Sequence, residues 1–187
     1  MRARLGQDRR YAHCVRVARC AGALARRHGV DPAKARLAGM LHDLARLYSG
    51  QRLIDECELR GLPIGAFERR NPIVLHARLG AALAREGFGI DDPDVLSAIE
   101  KHTTAAPGMS PLDCVVYLAD ALEPGRSFEG REDLWSLATR DLHAAMRASI
   151  AQTLAYLQGR AATPAPAMLA AARAFGLDIE EVTASLI

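Results

Sequence analysis

Six polar side chains stand where the spacing of this chain calls for apolar ones: His13, His42, Asp43, His76, His102 and Asp120. His13 lies beside Cys14 and Val17 at the edge of an apolar helical stripe, and His42-Asp43 follows the run Leu37-Ala38-Gly39-Met40-Leu41. His76 falls on the line Ile73, Leu79, Leu83, His102 on the line Val95, Ile99, and Asp120 on the line Leu112, Val116. Buried without a partner, each group would cost about 1–3 kcal/mol, and a lone ionised carboxylate far more. A shared cation removes that cost for the whole set. Imidazole nitrogen and carboxylate oxygen without thiolate suit divalent iron, manganese, cobalt, nickel or zinc. Neighbours on a helix differ by about 100°, so His42 and Asp43 serve two ions only if the carboxylate bridges. A bridged pair about 3.5–4 Å apart would activate a water between the ions.

The other two histidines act as controls. His28 sits at a helix end beside Gly29, and His143 lies among Asp141, Leu142 and Arg147, so neither has a ligand-like context. Cys14, Cys20, Cys57 and Cys114 form no C-x-x-C pair and read as buried reduced thiols.

The elements that must hold these residues follow from composition and punctuation. The chain has 187 residues, 50% hydrophobic but only 5% aromatic, and this Ala- and Leu-rich balance predicts an all-α protein. A formal net charge of +2 argues against a strong general attraction to nucleic acid or anionic membranes. No run is apolar enough to span a bilayer, and the start MRARLGQDRR lacks a signal peptide's apolar core, which predicts a soluble cytoplasmic protein. The basic residues Arg9, Arg10, Arg16, Arg19, Arg26 and Arg27 fall largely on one polar side of the first helix, expected to be solvated.

Periodicity predicts that first helix over Asp8 to Arg27. Asp31-Pro32 opens a second through Leu47, Ser49 caps a short one to Arg60, and Asn71-Pro72 starts another reaching Glu86. Asp92-Pro93 begins a helix closing near His102, and Ser110-Pro111 with Asp113 one running to Leu122. A long amphipathic helix is expected from Asp133 to Gln158, then a helical pair beyond Pro164 and Pro166. The expected organisation is one domain over 1–160 with a helical extension over 161–187. The apolar surface of the long helix, or of Phe175 to Ile187, would support a homodimer.

The order His13, His42-Asp43, His76, His102, Asp120 resembles that of the HD-domain metalloenzymes, all-helical phosphohydrolases. Three stretches narrow the likeness: AGMLHDLAR, VLHARLGA and AIEKHTTAAPGMSPLDCVVYLADALEPGR. They resemble the YqeK-type HD-domain proteins, a family of symmetrical dinucleoside tetraphosphatases, and the likeness runs from about Tyr11 to Leu157. The resemblance implies a helical bundle with a dinuclear site in its core, most often of iron with manganese or cobalt as substitutes, that cleaves diadenosine tetraphosphate into two ADP. It implies that His13, His42, Asp43 and Asp120 hold one ion, while His76, His102 and a bridging Asp43 hold the other. Arg46 stands where related enzymes carry a lysine facing phosphate, and a guanidinium grips phosphate bidentately. Asp43, Arg46 and Glu123 are thereby assigned to catalysis, and Arg46, Lys101, Thr103, Thr104 and Arg126 to substrate. Glu123 would orient a metal-bound water or accept a hydrogen bond from a ligand. Arg126 would clamp phosphate or form a surface ion pair, and Lys101 is expected as a solvated base at the mouth of the site. Ala105-Ala106 replaces the usual glycine and basic residue, and Ala77 a frequent glycine.

Two alternatives stay open at this stage. One is an HD phosphohydrolase acting on nucleoside tri- or monophosphates or cyclic nucleotides. The other is a metal-stabilised regulatory or RNA-binding protein that uses its arginine-rich first helix.

Overall fold

The computed structural model describes residues 8–179, and no strand occurs among them. Ten α-helices are described: α1 Asp8–Arg27, α2 Pro32–Leu41, α3 Gly50–Leu59, α4 Ala66–Arg70, α5 Leu75–Phe88, α6 Pro93–Lys101, α7 Pro111–Leu122, α8 Arg131–Ala138, α9 Leu142–Gln158 and α10 Pro166–Ala174, with a 3-10 turn at Pro72–Val74 before α5.

Local capping chemistry sets most of the starts. Asp31 accepts from the backbone N–H groups of Ala33 and Lys34, Asp92 from those of Asp94 and Val95, and each has proline at the next position. Ser110 and Asp113 form a reciprocal capping box on α7. That cap carries Val115-Val116-Tyr117, which alone would suit a strand, into a helix.

α7 is the hub of the core: Val115, Val116, Leu118 and Ala119 are fully buried against Val17, Leu24 and Ala25 of α1, Ile99 of α6 and Ile150 of α9 in one apolar cluster. A smaller cluster of Ala45, Leu53, Cys57, Leu75 and Leu79 ties α3 and α5 beneath the segment that follows α2. Two glycines let backbones approach closely. A Cβ on Gly39 would lie 3.1 Å from Ala18 Cα, and one on Gly80 3.2 Å from the His42 carbonyl, so α2 packs tightly on α1 and α5 on the His42 turn. Ala165, Met168, Ala171, Ala172 and Phe175 join the main cluster, so the stretch after α9 packs on the same core. All four cysteines are buried and unpaired.

Three expectations need correcting. The second helix stops at Leu41 instead of Leu47, and 42–48 continue as tight turns, with Leu44, Arg46 and Tyr48 each donating to the carbonyl three residues back. His42 Nδ1 donates to the Gly39 carbonyl at 2.8 Å, an acceptor that an uninterrupted α-helix gives to the Asp43 N–H. The long helix from Asp133 is two helices, because the Asp141 side chain accepts from Ala144 N at 2.9 Å and starts α9 afresh. The short α4 at Ala66–Arg70 is additional. Of the helical pair expected after Pro166, α10 is described, and residues 180–187 lie outside the described range.

Candidate metal centre

Five segments bring the six residues of the sequence pattern together. His13 comes from α1, His42 and Asp43 from the turns after α2, His76 from the first turn of α5, His102 from the C-terminal cap of α6, and Asp120 from α7. The four imidazoles and Asp43 are buried, with at most 6% exposure, in a protein whose other buried side chains are mainly apolar.

Each ring has one nitrogen fixed by a partner outside the group. His42 Nδ1 lies 2.8 Å from the Gly39 carbonyl, His76 Nδ1 2.5 Å from that of Ile73, and His102 Nδ1 2.7 Å from that of Ile99. A carbonyl only accepts, so Nδ1 carries a proton, and the ring turns Nε2, the atom left to coordinate, inward. His13 has the same orientation through a carboxylate, its Nδ1 standing 3.0 Å from Glu123 Oε1. Four Nε2 atoms thus converge, and those of His76 and His102 are 3.2 Å apart. Two lone pairs at that distance repel unless a positive charge lies between them.

The carboxylates complete the pattern. Asp43 Oδ2 is 3.6 Å from His13 Nε2 and 3.3 Å from His42 Nε2, while its Oδ1 is 3.3 Å from His76 Nε2 and 3.9 Å from His102 Nε2. Asp120 Oδ1 adds to the first side, 3.0 Å from His13 Nε2 and 3.8 Å from His42 Nε2. Two donor groups therefore meet at Asp43, one oxygen facing each. His13 Nε2 and His42 Nε2 are buried without a hydrogen-bond partner, which is the condition a bound cation relieves. The set is nitrogen and oxygen only, as intermediate divalent ions prefer, and it fits them.

The electrostatics agree. Burial opposes the charge on Asp43 and Asp120, yet the neighbouring imidazoles, together with Arg126 beside Asp120, hold both carboxyls far below the usual range. Burial likewise pushes His42 down, but Asp43 and Asp120 raise it overall, so this spot draws positive charge. His102 goes to about 3 through burial and the nearby His42 and His76, and stays neutral as a ligand must.

Glu123 acts from behind His13. Only 2% exposed, it accepts from Arg16 Nε at 2.5 Å, Arg16 Nη2 at 3.1 Å and the Gly125 N–H at 2.6 Å, besides His13. Of the two roles open to it, the geometry is that of a carboxylate orienting an imidazole. Burial works against its charge, but Arg16, His13 and Gly125 outweigh this and bring its carboxyl to about 2.

Above the donor groups lies a cleft of about 320 Å³ with Arg10, Arg46, Thr103 and Arg126 on its walls. Arg126 Nη2 donates to Asp120 Oδ1 at 2.7 Å, and Arg10 Nη1 to Asp43 Oδ2 at 2.7 Å. The Arg46 side chain makes no hydrogen bond or ion pair with a described residue. Thr103 Oγ1 stands 3.2 Å from His76 Nε2 and 3.1 Å from His102 Nε2, whereas the Thr104 hydroxyl donates to the Ala105 carbonyl and faces a neighbouring cavity.

Two placements differ from expectation. Lys101 is not at the mouth: its Nζ binds Asp113 Oδ2 at 2.8 Å, bracing the α7 cap. Arg10 and Arg16 are not on a solvated face but turn inward to Asp43 and Glu123. They stand three residues before and three after His13 and share its side of the helix, but that spacing alone does not separate an arginine facing a carboxylate from one facing water. The two control histidines lie elsewhere, His28 against the Ala138 carbonyl and His143 against the Phe175 ring.

Among known proteins, the HD domain family model matches residues 10–125. The chain is 37% identical over 150 residues to the symmetrical bis(5'-nucleosyl)-tetraphosphatase of Bacillus subtilis, covering 80% of each protein. It is also 37% identical over 155 residues, again 80% of each, to the protein of that name from Halalkalibacterium halodurans. Among solved structures, an HD superfamily hydrolase from Clostridium acetobutylicum described as involved in NAD metabolism superposes with a TM-score of 0.90 at 37% identity, over 93% of this chain and 92% of that one. With the model match and the two tetraphosphatases agreeing, this chain belongs to the HD-domain family of metal-dependent phosphohydrolases.

Proposed function

We propose that this protein hydrolyses dinucleoside polyphosphates, diadenosine tetraphosphate first among them, symmetrically to two ADP. Its relatives carry that activity in their names, and the observation that carries the reading here is the sharing of Asp43 between two imidazole groups beneath an arginine-lined cleft. His13, His42, Asp43 and Asp120 would hold one divalent ion, and Asp43, His76 and His102 a second. When bound, such ions supply an activated water and neutralise phosphate charge.

The residues of the chain do the rest. Arg46, whose side chain has no partner among the described residues, is available to grip phosphate oxygens bidentately, and Arg10 and Arg126 stand on the same walls to balance the charge that builds up on reaction. The Thr103 hydroxyl is placed to donate to a phosphate oxygen at the floor of the cleft. Glu123 and three backbone carbonyls keep every Nδ1 protonated, so the Nε2 atoms stay free to coordinate. Cleavage at the middle of the tetraphosphate puts the water oxygen on one ADP, while the bridging oxygen leaves with the other.

Iron as the metal is the finer part of the proposal, and manganese and cobalt suit the same donors. Metal analysis of protein purified anaerobically without chelator tests it. Chromatography of products from diadenosine tetraphosphate tests the activity. ADP alone is expected. ATP plus AMP would overturn the point of attack, and no turnover with two metal ions bound would overturn the substrate.

A further inference from the structure

Beside the arginine-lined cleft lies a second cavity of about 560 Å³, and the two share Ile73, Thr103 and Thr153. We infer that this second cavity is a nucleoside subsite, holding the base and ribose of one half of the dinucleotide whose phosphates occupy the cleft. The inference rests on the function proposed above.

Three observations carry it. The first is position: Thr103, common to both cavities, has its hydroxyl within 3.2 Å of the inward nitrogens of His76 and His102. A diphosphate is short, so a nucleoside attached to it must sit immediately beside the ligand cluster. Second comes chemistry. The cleft is polar and cationic, whereas the adjoining walls carry Phe67, Leu157 and Met168, with Arg70, Asn71 and four threonines as their polar groups. A largely apolar slot of several hundred Å³ with one aromatic ring and these polar groups suits a purine, whose faces stack and whose edges hydrogen-bond. The Arg70 side chain has no hydrogen bond or ion pair to a described residue, and the Asn71 side chain uses only its Nδ2 there, on the Phe67 carbonyl at 3.1 Å. Ile73, on the shared wall, is 41% exposed, an apolar side chain that a bound base would cover.

The third observation is where the walls come from in the chain. The HD-domain match ends at residue 125, yet Thr153, Leu157, Ala162, Thr163, Ala165 and Met168 line this cavity from α9, the stretch after it and α10. Metal ligands and phosphate-facing arginines lie inside the matched region or at its border, whereas six of the thirteen residues lining the second cavity lie beyond it. The matched region thus supplies the phosphate chemistry and one side of the nucleoside wall, with Phe67, and the chain beyond it supplies the other side.

Calorimetric titration of the full-length, manganese-loaded protein with ADP and with pyrophosphate tests this. Pyrophosphate carries the diphosphate without the nucleoside. Ala162→Trp fills the cavity from an exposed wall position, and Phe67→Leu removes the ring at little cost in volume, so one variant remains if the other folds poorly. ADP affinity should fall about tenfold in each, the scale of one lost stacking contact, with pyrophosphate affinity within twofold of wild type. Unchanged ADP affinity, or equal losses for both ligands, would overturn the subsite. Cleavage of diadenosine tetraphosphate by the wild type is read separately: ADP formation with unaffected variants removes only the subsite, whereas no ADP formation removes the proposed function itself.

Discussion

Replacing Glu123 by glutamine keeps the shape of the side chain but spoils its role behind His13. Each carboxylate oxygen faces two donors, Oε1 the His13 ring and Arg16 Nη2, Oε2 Arg16 Nε and the Gly125 N–H. Whichever way the amide turns, its NH₂ meets two donors and loses two charge-assisted hydrogen bonds. At about 1.5–3 kcal/mol each, that sums to about 3–6 kcal/mol, and the typical cost of breaking a buried ion pair, about 3–5 kcal/mol, sets the range. For a chain of this size, a fall in Tm of about 6–20 °C follows. Stability alone does not prove a positioning role, so the decisive measurement is manganese affinity by competition titration. Losing the partner that orients a ligand costs about 10–100-fold in metal affinity. Asp113→Asn is the control. Asp113 is equally buried and bound by Lys101 Nζ and the Ser110 N–H, but serves the α7 cap. That variant should lose stability and keep its metal affinity. Wild-type metal affinity in a folded Glu123→Gln protein would refute the reasoning, as would an equal loss in Asp113→Asn.

The same carboxyl sets an acid limit. Held at about 2 in the fold against an ordinary 4.5, Glu123 takes up its proton later than the unfolded chain does, so its contribution is present above about pH 4.5 and is lost as pH falls towards 2. Denaturant titrations across that window should show a shallower pH dependence in Glu123→Gln than in wild type. Arg46→Ala should lower kcat/KM by about 10–100-fold with Tm within 2 °C of wild type, because the Arg46 side chain has no partner among the described residues to lose. Arg46→Lys should recover part of the loss, and an unchanged kcat/KM for the alanine variant would remove Arg46 from the site. Lys101→Met should leave KM for diadenosine tetraphosphate within twofold while lowering Tm, since its partner is Asp113; a large rise in KM with Tm intact would return it to the substrate. Ala105 is buried with φ of 53°, a conformation that costs alanine about 1–2 kcal/mol. Relief of that strain offsets the entropy and lost methyl of a glycine, so Ala105→Gly should stay within about 1 kcal/mol of wild type. Ala119→Gly, in the buried interior of α7, should cost about 2 kcal/mol. Equal losses at the two positions would refute the strain account.

What sequence reasoning could and could not reach divides along the range of the interactions. Asp31-Pro32, Asp92-Pro93 and Ser110-Pro111 fix helix starts through bonds spanning two or three residues, and such bonds leave a local trace. The six convergent side chains could be picked out because a polar residue at a core period violates a local rule, and the violation recurs on five segments. Ala105, where the family resemblance implies glycine, adopts the left-handed backbone that glycine takes without strain. The early end of α2 lies at the edge of legibility, since the His42 ring takes the Gly39 carbonyl only when the core holds that ring inward. Arg10 and Arg16 lie beyond it. On a helix whose outer side is rich in arginine, nothing local separates an arginine that faces water from one that faces a carboxylate 33 residues away, as Arg10 does, or 107 away, as Arg16 does. Lys101 misleads for the same reason: it is adjacent to a ligand in sequence but committed to Asp113 in space. The second cavity depends on α4, the loop after α6 and the stretch beyond α9 meeting around one space. Its lining residues are ordinary apolar and small polar ones that break no periodicity. A site made of exceptions can be read from a sequence, whereas a pocket made of typical residues becomes visible only when the chain has closed around it.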